Sequence, residues 1–242
     1  MKIFSLETST KNFSLAVSMD EKILAFRNFK LKKVLSSSII PAIKIILKRT
    51  DTALADLDGF AIGLGPGSFT SLRVGLSTVK AFGAATGKPV VGIPSLDILA
   101  MNVPVGIADQ ICCLCDARRN LLYTCSYRRS GVDPVPLGDY SLSGIDDCLN
   151  KIKEPTFFIG DGISLYREKI LARFKTKWAS KIESIDDLLA KEKDWYPRAD
   201  HLARRAYRRF LKKEYDSIDK IVPLYLYPED CQVAAKDVGV LK

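Results

Sequence analysis

The sequence contains a single histidine, His201, among its 242 residues. Catalytic zinc and iron are usually held by two or more imidazole groups, so a two-histidine metal site within this chain is excluded. Any histidine-based acid–base chemistry would have to rest on His201 alone. Because His201 lies in an arginine-rich helical segment, we expect it on the surface of that helix.

Long apolar runs are also missing from the sequence. No stretch of about 18 uncharged apolar residues occurs, which argues against a membrane-spanning helix. The first residues are apolar over too short a stretch for a signal peptide, and Glu7 interrupts them. We therefore expect no membrane association and a cytoplasmic location.

Cysteine is present, but in a pattern that suits neither disulfides nor zinc. Three of the six cysteines, Cys112, Cys113 and Cys115, crowd one apolar run. This spacing is too close for an ordered disulfide framework and matches zinc ligands poorly. We expect the cysteines to be small buried side chains in a reducing compartment.

Basic residues exceed acidic ones, 37 to 28, for a formal net charge of +9. Such an excess favours polyanionic partners through phosphate contacts. Candidate RNA contacts are the arginines of one predicted helix, Arg204, Arg205, Arg208 and Arg209. The same helix carries an apolar stripe, so a merely solvated outer face is the alternative explanation.

The beginning of the chain alternates between apolar and polar residues as β-strands do. Three segments, Ile3–Leu6, Phe13–Met19 and Lys22–Arg27, are separated by short polar turns. This pattern predicts three consecutive antiparallel strands. Such an opening is typical of ribonuclease H-like and actin-like folds.

Two helices are predicted to follow, from Ser37 to Arg49 with serine as its cap, and from Ser71 to Thr86. The apolar arc of the first helix is wider than burial on one core requires, which indicates a second packing partner. Later strands are predicted at 110–116, 121–127 and 156–159, and later helices near 185–191 and 200–215. We place the first lobe at residues 1–103 and the second at 104–242.

Three turns rich in glycine or hydroxyl groups could contact phosphate. They lie after predicted strands, at Glu7–Lys11, Gly65–Thr70 and Gly160–Gly162. A polar hairpin turn, a tight strand-to-helix turn and simple strand punctuation explain them equally well or better. The candidate nucleotide-binding residues are Thr8, Ser9, Lys11, Gly65, Gly67, Gly160 and Gly162.

Taken in order, several motifs resemble those of the TsaB (YeaZ) family. They are Ser5–Thr10, Ile40–Ile43, Gly63–Gly75, Gly92–Leu96, Asp116–Arg119 and Gly160–Gly162 with Tyr166. The resemblance implies an α/β chain with a two-lobed actin/Hsp70-like (ribonuclease H-like) fold, in which mixed sheets are flanked by helices. It also implies a role in making threonylcarbamoyladenosine beside the tRNA anticodon.

The same resemblance implies a non-catalytic subunit. The related catalytic subunit, TsaD/Kae1, carries a His-x-x-x-His metal motif where this chain has Ser95 and Leu99, and neither of these supplies an imidazole nitrogen. We therefore expect no catalytic residue, metal or cofactor in this chain. ATP and metal are expected on partner subunits, a TsaE-type ATPase is expected to dock, and tRNA is expected to bind through the complex.

The resemblance further implies that the first two helices pack against the same pair in the catalytic subunit, or in a second copy when the chain is alone. The candidate interface residues are Ile39, Ile40, Ile43, Leu47, Leu72, Leu76 and Val79. The chain departs from the family pattern at Leu35, Ser37 and Ser71, which weakens the expectation of polar contacts there. The alternatives are an independent ATP-dependent kinase-like enzyme and a peptidase-like enzyme.

Overall fold

The structure, a computed structural model, describes residues 1–31, 34–129, 131–175 and 185–227. Its first sheet has five strands in the order β3-β2-β1-β4-β5. The first three pair antiparallel, as their alternating sequence predicts, and β4 and β5 continue the sheet in parallel. The strands are β1 (Lys2–Glu7), β2 (Asn12–Met19), β3 (Lys22–Lys30), β4 (Gly59–Gly63) and β5 (Val90–Ile93).

Two helices, α1 (Leu35–Arg49) and α2 (Phe69–Thr86), cover one face of this sheet. Both begin two residues before the predicted start. Val34 is the residue at the N-cap of α1, and the hydroxyl groups of Ser37 and Ser38 bond to the Val34 carbonyl oxygen. The expectation of a serine cap is therefore wrong.

The opposite face of the first sheet is covered by α6 (Ala199–Leu211), which lies near the other end of the chain. Leu202, Ala206 and Phe210 pack with Ile3 of β1 and apolar residues of β4 and β5. The placement of all of residues 104–242 in the second lobe is therefore wrong, because this helix completes the first lobe.

A second sheet has the order β10-β6-β7-β8, with β9 also paired to β7. Its core includes Leu96 and Leu99 of α3, so this short helix joins the two halves of the molecule. These elements are α3 (Ser95–Ala100), β6 (Gln110–Arg118), β7 (Leu121–Arg129), β8 (Pro134–Pro136), β9 (Ser141–Ser143), α4 (Ile145–Lys151), β10 (Phe157–Ile159) and α5 (Ile163–Phe174). The predicted helix at 185–191 is a short 3-10 helix, Ile185–Leu188.

After α6 the chain returns along the edge of the first sheet. Asp216 donates its backbone N–H to the Val90 carbonyl at 2.9 Å, and the side chain of Ile221 enters the core under α1 and α2. The Leu224 N–H then bonds to the Leu64 carbonyl at 2.8 Å. This segment adds to the first lobe without forming a helix or strand of its own.

Two expectations from composition can be compared with the structure. Among the described residues, no helix is both long and apolar enough to cross a membrane. The five cysteines in the described ranges are buried and free, as predicted, and Cys231 lies outside those ranges.

Candidate functional site at the junction of the two sheets

The last residue of β1, Glu7, places its carboxyl group inside the protein, where the first sheet meets α3. The side chain is fully buried, and its two oxygens accept hydrogen bonds from Ser9 N at 2.7 Å and Ser95 Oγ at 2.9 Å. Gly63 allows this position, because a β-carbon there would overlap with Oε2 of Glu7. Burial raises the pKa of the Glu7 carboxyl group, since removal from water disfavours its charged form.

Ser95, the first residue of α3, ties three elements together. Its hydroxyl group donates to Glu7 and accepts from Gly65 N at 3.0 Å, and its own N–H donates to the Gly65 carbonyl at 2.7 Å. Leu99, one turn later, is completely buried in the core of the second sheet. Ser95 and Leu99 occupy the positions that were compared with the two histidines of the His-x-x-x-His motif. The hydroxyl group of Ser95 already has both a donor and an acceptor partner, and Leu99 has only an alkyl side chain.

The turn after β1 packs directly against the glycine loop before α2. Thr8 is fully buried and donates to the Ser71 carbonyl at 3.0 Å, while the Ser9 carbonyl accepts from Ser68 N at 2.7 Å. A β-carbon on Gly67 would overlap with the Ser9 carbonyl oxygen. Close packing therefore accounts for the glycine in this loop.

The turn at Gly160–Gly162 closes on the second sheet in a similar way. Gly160 has a φ of +123°, and Gly162 donates its N–H to the Leu114 carbonyl at 2.9 Å. Between them, Asp161 accepts a hydrogen bond from Asp116 N at 2.9 Å, and burial raises the pKa of its carboxyl group. A tight turn that ends β10 before α5 begins is sufficient to explain this motif.

These contacts bear on the candidate nucleotide-binding residues as a group. Phosphate is held at such turns by free backbone N–H groups. The N–H groups of Ser9, Gly65, Ser68 and Gly162 already donate to acceptors within the chain. The exposed Lys11 extends away from these turns, and the buried hydroxyl group of Ser9 has no partner among the described residues. Nucleotide binding at this junction therefore stays a prediction, which the bonded N–H groups do not favour.

Three of the four arginines of α6 that are candidate RNA contacts are paired within the protein. Arg205 bonds to Asp97 at 2.9 Å, Arg209 to Asp216 at 3.1 Å, and Arg208 to Asp133. All three are half-buried. Carboxylates of this chain already neutralise these three arginines, so the pairing does not favour them as an RNA-binding face, and contact of Arg204 with RNA stays a prediction.

The two helices predicted to meet a partner bury most of the residues chosen for that contact. Five of the seven are at most 6% exposed and pack into the first lobe's own core: Ile39, Ile43, Leu72, Leu76 and Val79. Only Ile40, at 44% exposure, and the half-buried Leu47 remain accessible. The choice of the five buried side chains as interface residues is wrong, whereas the helix contact itself stays a prediction.

Comparison with known proteins identifies the family of this chain. A family model described as TsaD, tRNA N6-adenosine threonylcarbamoyltransferase, matches residues 30–234. The chain belongs to this TsaD family. Within it, the chain is of the TsaB/YeaZ type: it is 28% identical to the tRNA threonylcarbamoyladenosine biosynthesis protein TsaB of Bacillus subtilis (strain 168) over 232 residues, 93% of this chain and 94% of that protein.

Two further relatives agree with this TsaB/YeaZ assignment. TsaB of Escherichia coli (strain K12) is 29% identical over 131 residues, which is 53% of this chain and 56% of that protein. The structure of YeaZ from Pseudomonas aeruginosa superimposes with a TM-score of 0.76 at 21% identity, covering 93% of this chain and 99% of that one. The two-lobed actin-like fold expected from the sequence is thereby confirmed.

Asp97 is the junction residue of this TsaB-type chain that the sequence analysis missed. Its carboxylate, buried at 4% exposure, accepts from the hydroxyl groups of Tyr127 at 2.9 Å and Tyr140 at 2.8 Å in addition to its pairing with Arg205. The signal was present, because Asp97 is the only charged residue between Pro89 and Met101. A lone charge in an apolar segment indicates a buried ion pair.

Two further observations concern histidine and metal ligands in the described part of the TsaB-type chain. His201 is half-buried rather than on the surface, and burial lowers the pKa of its imidazole to about 4, so it is neutral at pH 7. Among the described residues, no three His, Cys, Asp or Glu side chains are grouped to hold a metal ion.

Proposed function

We propose that this chain is a non-catalytic subunit that pairs with a TsaD-type catalytic subunit. The pair would transfer a threonylcarbamoyl group to adenosine N6 next to the tRNA anticodon. The curated TsaB relatives are proteins of tRNA threonylcarbamoyladenosine biosynthesis, and they support a role for this chain in the same biosynthesis. ATP and metal would be held by the partner subunits.

The observation that carries this proposal is the closed arrangement around Ser95. A catalytic relative needs imidazole ligands there, and this chain instead has a serine hydrogen-bonded to a buried glutamate, followed by a core leucine. Opening the site would leave the Glu7 carboxyl group without its Ser95 donor inside the protein. Such an unpaired buried group costs about 1–3 kcal/mol or more.

The partner surface that we propose is the outer side of α1 and the start of α2. Ile40 and Ile45 on α1 and Phe69 on α2 are between 44% and 56% exposed, although all three are large and apolar. Burial of each such side chain contributes about 1.5–3 kcal/mol. Three or four of them are enough to anchor a stable contact.

Pull-down with the TsaD-type protein of the same organism tests this surface. Ile40→Asp is expected to abolish co-purification while the fold is retained, because the side chain is exposed in the free chain. Leu165→Asp is the matched control, since Leu165 is 56% exposed on α5 of the second lobe. Ile43 is unsuitable for this purpose because it is a core residue. Equal recovery of both variants would contradict the proposed interface.

Reconstitution tests the division of labour. The chain alone is expected to produce no threonylcarbamoyladenosine, and addition of the TsaD-type and TsaE-type proteins with ATP should restore formation of the modified nucleoside. Turnover by the purified chain alone would favour the kinase-like or peptidase-like alternative. Sedimentation of the free chain would show whether the same surface forms a homodimer.

A further inference from the structure

A cavity of about 510 Å³ lies at the end of the first sheet, away from the helices α1 and α2. Asn12 at the start of β2 is paired in register with Lys30 at the end of β3, and Ser14 with Asn28. These four side chains share one face, because alternate residues of a strand point the same way. It is the face covered by α6, since the Ser14 hydroxyl group accepts from Ala199 N at 2.9 Å.

The cavity, which we call the lysine pocket, has an excess of positive charge. Lys11, Lys30 and Lys193 contribute three ammonium groups, and Glu192 contributes one carboxylate. In the part of the chain that the structure describes, neither Lys30 nor Lys193 forms a salt bridge. The ammonium group of Lys11 lies 5.2 Å from the centre of the Tyr196 ring, within the range of a cation–π contact.

Two neutral polar groups of the same pocket have unused hydrogen-bonding capacity. Oδ1 of Asn12 is shielded from solvent and makes no hydrogen bond to any described residue. The Tyr196 hydroxyl group is shielded as well, and the ammonium group of Lys11 beside it can only donate, so the O–H of Tyr196 still has no acceptor among the described residues. A buried polar group without a partner costs free energy, so it favours a ligand that can pair with it. A phenol donates a hydrogen bond, and an amide can turn to present its NH₂ group.

We propose that the lysine pocket binds a phosphate group. Three ammonium groups, a phenol and an amide are the donors that the several oxygens of a phosphate accept. The phosphate could belong to the backbone of an RNA or to a small phosphorylated molecule, and both sources present the same chemistry. For RNA, the inference rests on the proposed function and moves its RNA contact from the paired arginines of α6 to these lysines.

Binding of a short fluorescein-labelled single-stranded RNA, followed by anisotropy at several salt concentrations, tests the pocket in the isolated full chain. The triple variant Lys11→Gln, Lys30→Gln, Lys193→Gln is expected to weaken binding by about tenfold or more. The logarithm of the binding constant should also fall less steeply with the logarithm of the salt concentration. The magnitude of this slope should decrease by about 2, because each phosphate contact on a single strand contributes about 0.7.

The matched control removes the same charge elsewhere, by Lys22→Gln, Lys212→Gln and Lys220→Gln at exposed positions outside the pocket. Equal loss of RNA affinity in the two triple variants would show a general charge effect and overturn the proposal.

A second experiment compares the binding of AMP with that of adenosine by calorimetry. Binding of AMP that only the pocket variant loses would assign the site to a small phosphorylated molecule, whereas no pocket-dependent binding of RNA or AMP would overturn the proposal. The pull-down with the TsaD-type protein is independent of either result.

Discussion

The buried carboxyl group of Glu7 makes the stability of the first lobe depend on pH. Burial raises its pKa in the folded protein above the ordinary value of 4.5. Between the ordinary and the raised pKa the folded state therefore binds more protons than the unfolded state. In this pH range the free energy of unfolding therefore falls as pH rises. Below pH 4.5 the group is protonated in both states, so its contribution to the free energy of unfolding no longer changes with pH.

Glu7→Gln should remove this contribution, because the amide of glutamine does not titrate. The free energy of unfolding of the wild-type chain is expected to fall relative to that of Glu7→Gln as pH rises from 4.5 to 7, by at most about 1.4 kcal/mol per pH unit. Urea unfolding at several pH values measures this difference. Asp161 also has a raised pKa and affects both proteins alike, so parallel profiles would show that Glu7 is not the titrating group.

At the scale of single elements, a buried ion pair adds to the apolar stripe that packs α6 on the first sheet. Arg205 is 20% exposed at its side chain and pairs with Asp97, which lies on α3. The pair thus joins the helix on the back of the first sheet to the helix that enters the second core. Removing Arg205 would leave the buried Asp97 carboxylate with only the neutral hydroxyl donors of Tyr127 and Tyr140 and no opposite charge.

Arg205→Ala is therefore expected to lower the free energy of unfolding by about 3 kcal/mol, the lower end of the cost of breaking a buried pair. Arg204→Ala on the same helix is the matched control, since no described residue pairs with Arg204. Its effect should stay within about 0.5 kcal/mol. Denaturant unfolding distinguishes the two, and similar losses would show that the helix depends on arginine stems rather than on the Asp97 pair.

The elements that local patterns specify were predictable, and those that distant contacts specify were not. Alternation of apolar and polar residues gave the hairpin strands β1 to β3, and helical periodicity gave α1 and α2. Periodicity does not tell which apolar residues of a helix face its own sheet. Ile43 and Ile40 therefore looked equivalent in the sequence, although only Ile40 is exposed.

At the scale of the whole molecule, the first lobe is assembled from the two ends of the chain. Residues 1–93 supply the sheet and one layer of helices, and residues after 198 supply the second layer and the edge segment. A single domain boundary in the sequence cannot describe a lobe built from both ends of the chain. The hydrogen bond between Ala199 N and the Ser14 hydroxyl group, for example, joins residues that are 185 positions apart. The glycine at position 59 was a clue, since a β-carbon there would overlap with the ring of Phe210.

The edge segment should carry a measurable part of the stability of the whole molecule, although it has no regular secondary structure. Ile221 is 7% exposed and packs in the core with α2, while its neighbour Val222 is 64% exposed. Ile221→Ala is expected to lower the free energy of unfolding by about 3 kcal/mol, because it leaves a cavity in the first core. Val222→Ala, the matched control, should change it by no more than about 0.5 kcal/mol. If denaturant unfolding shows that both variants have the free energy of unfolding of the wild type, the segment lies on a lobe that is already complete without it. If Ile221→Ala alone is destabilised, the segment is a structural part of the first lobe.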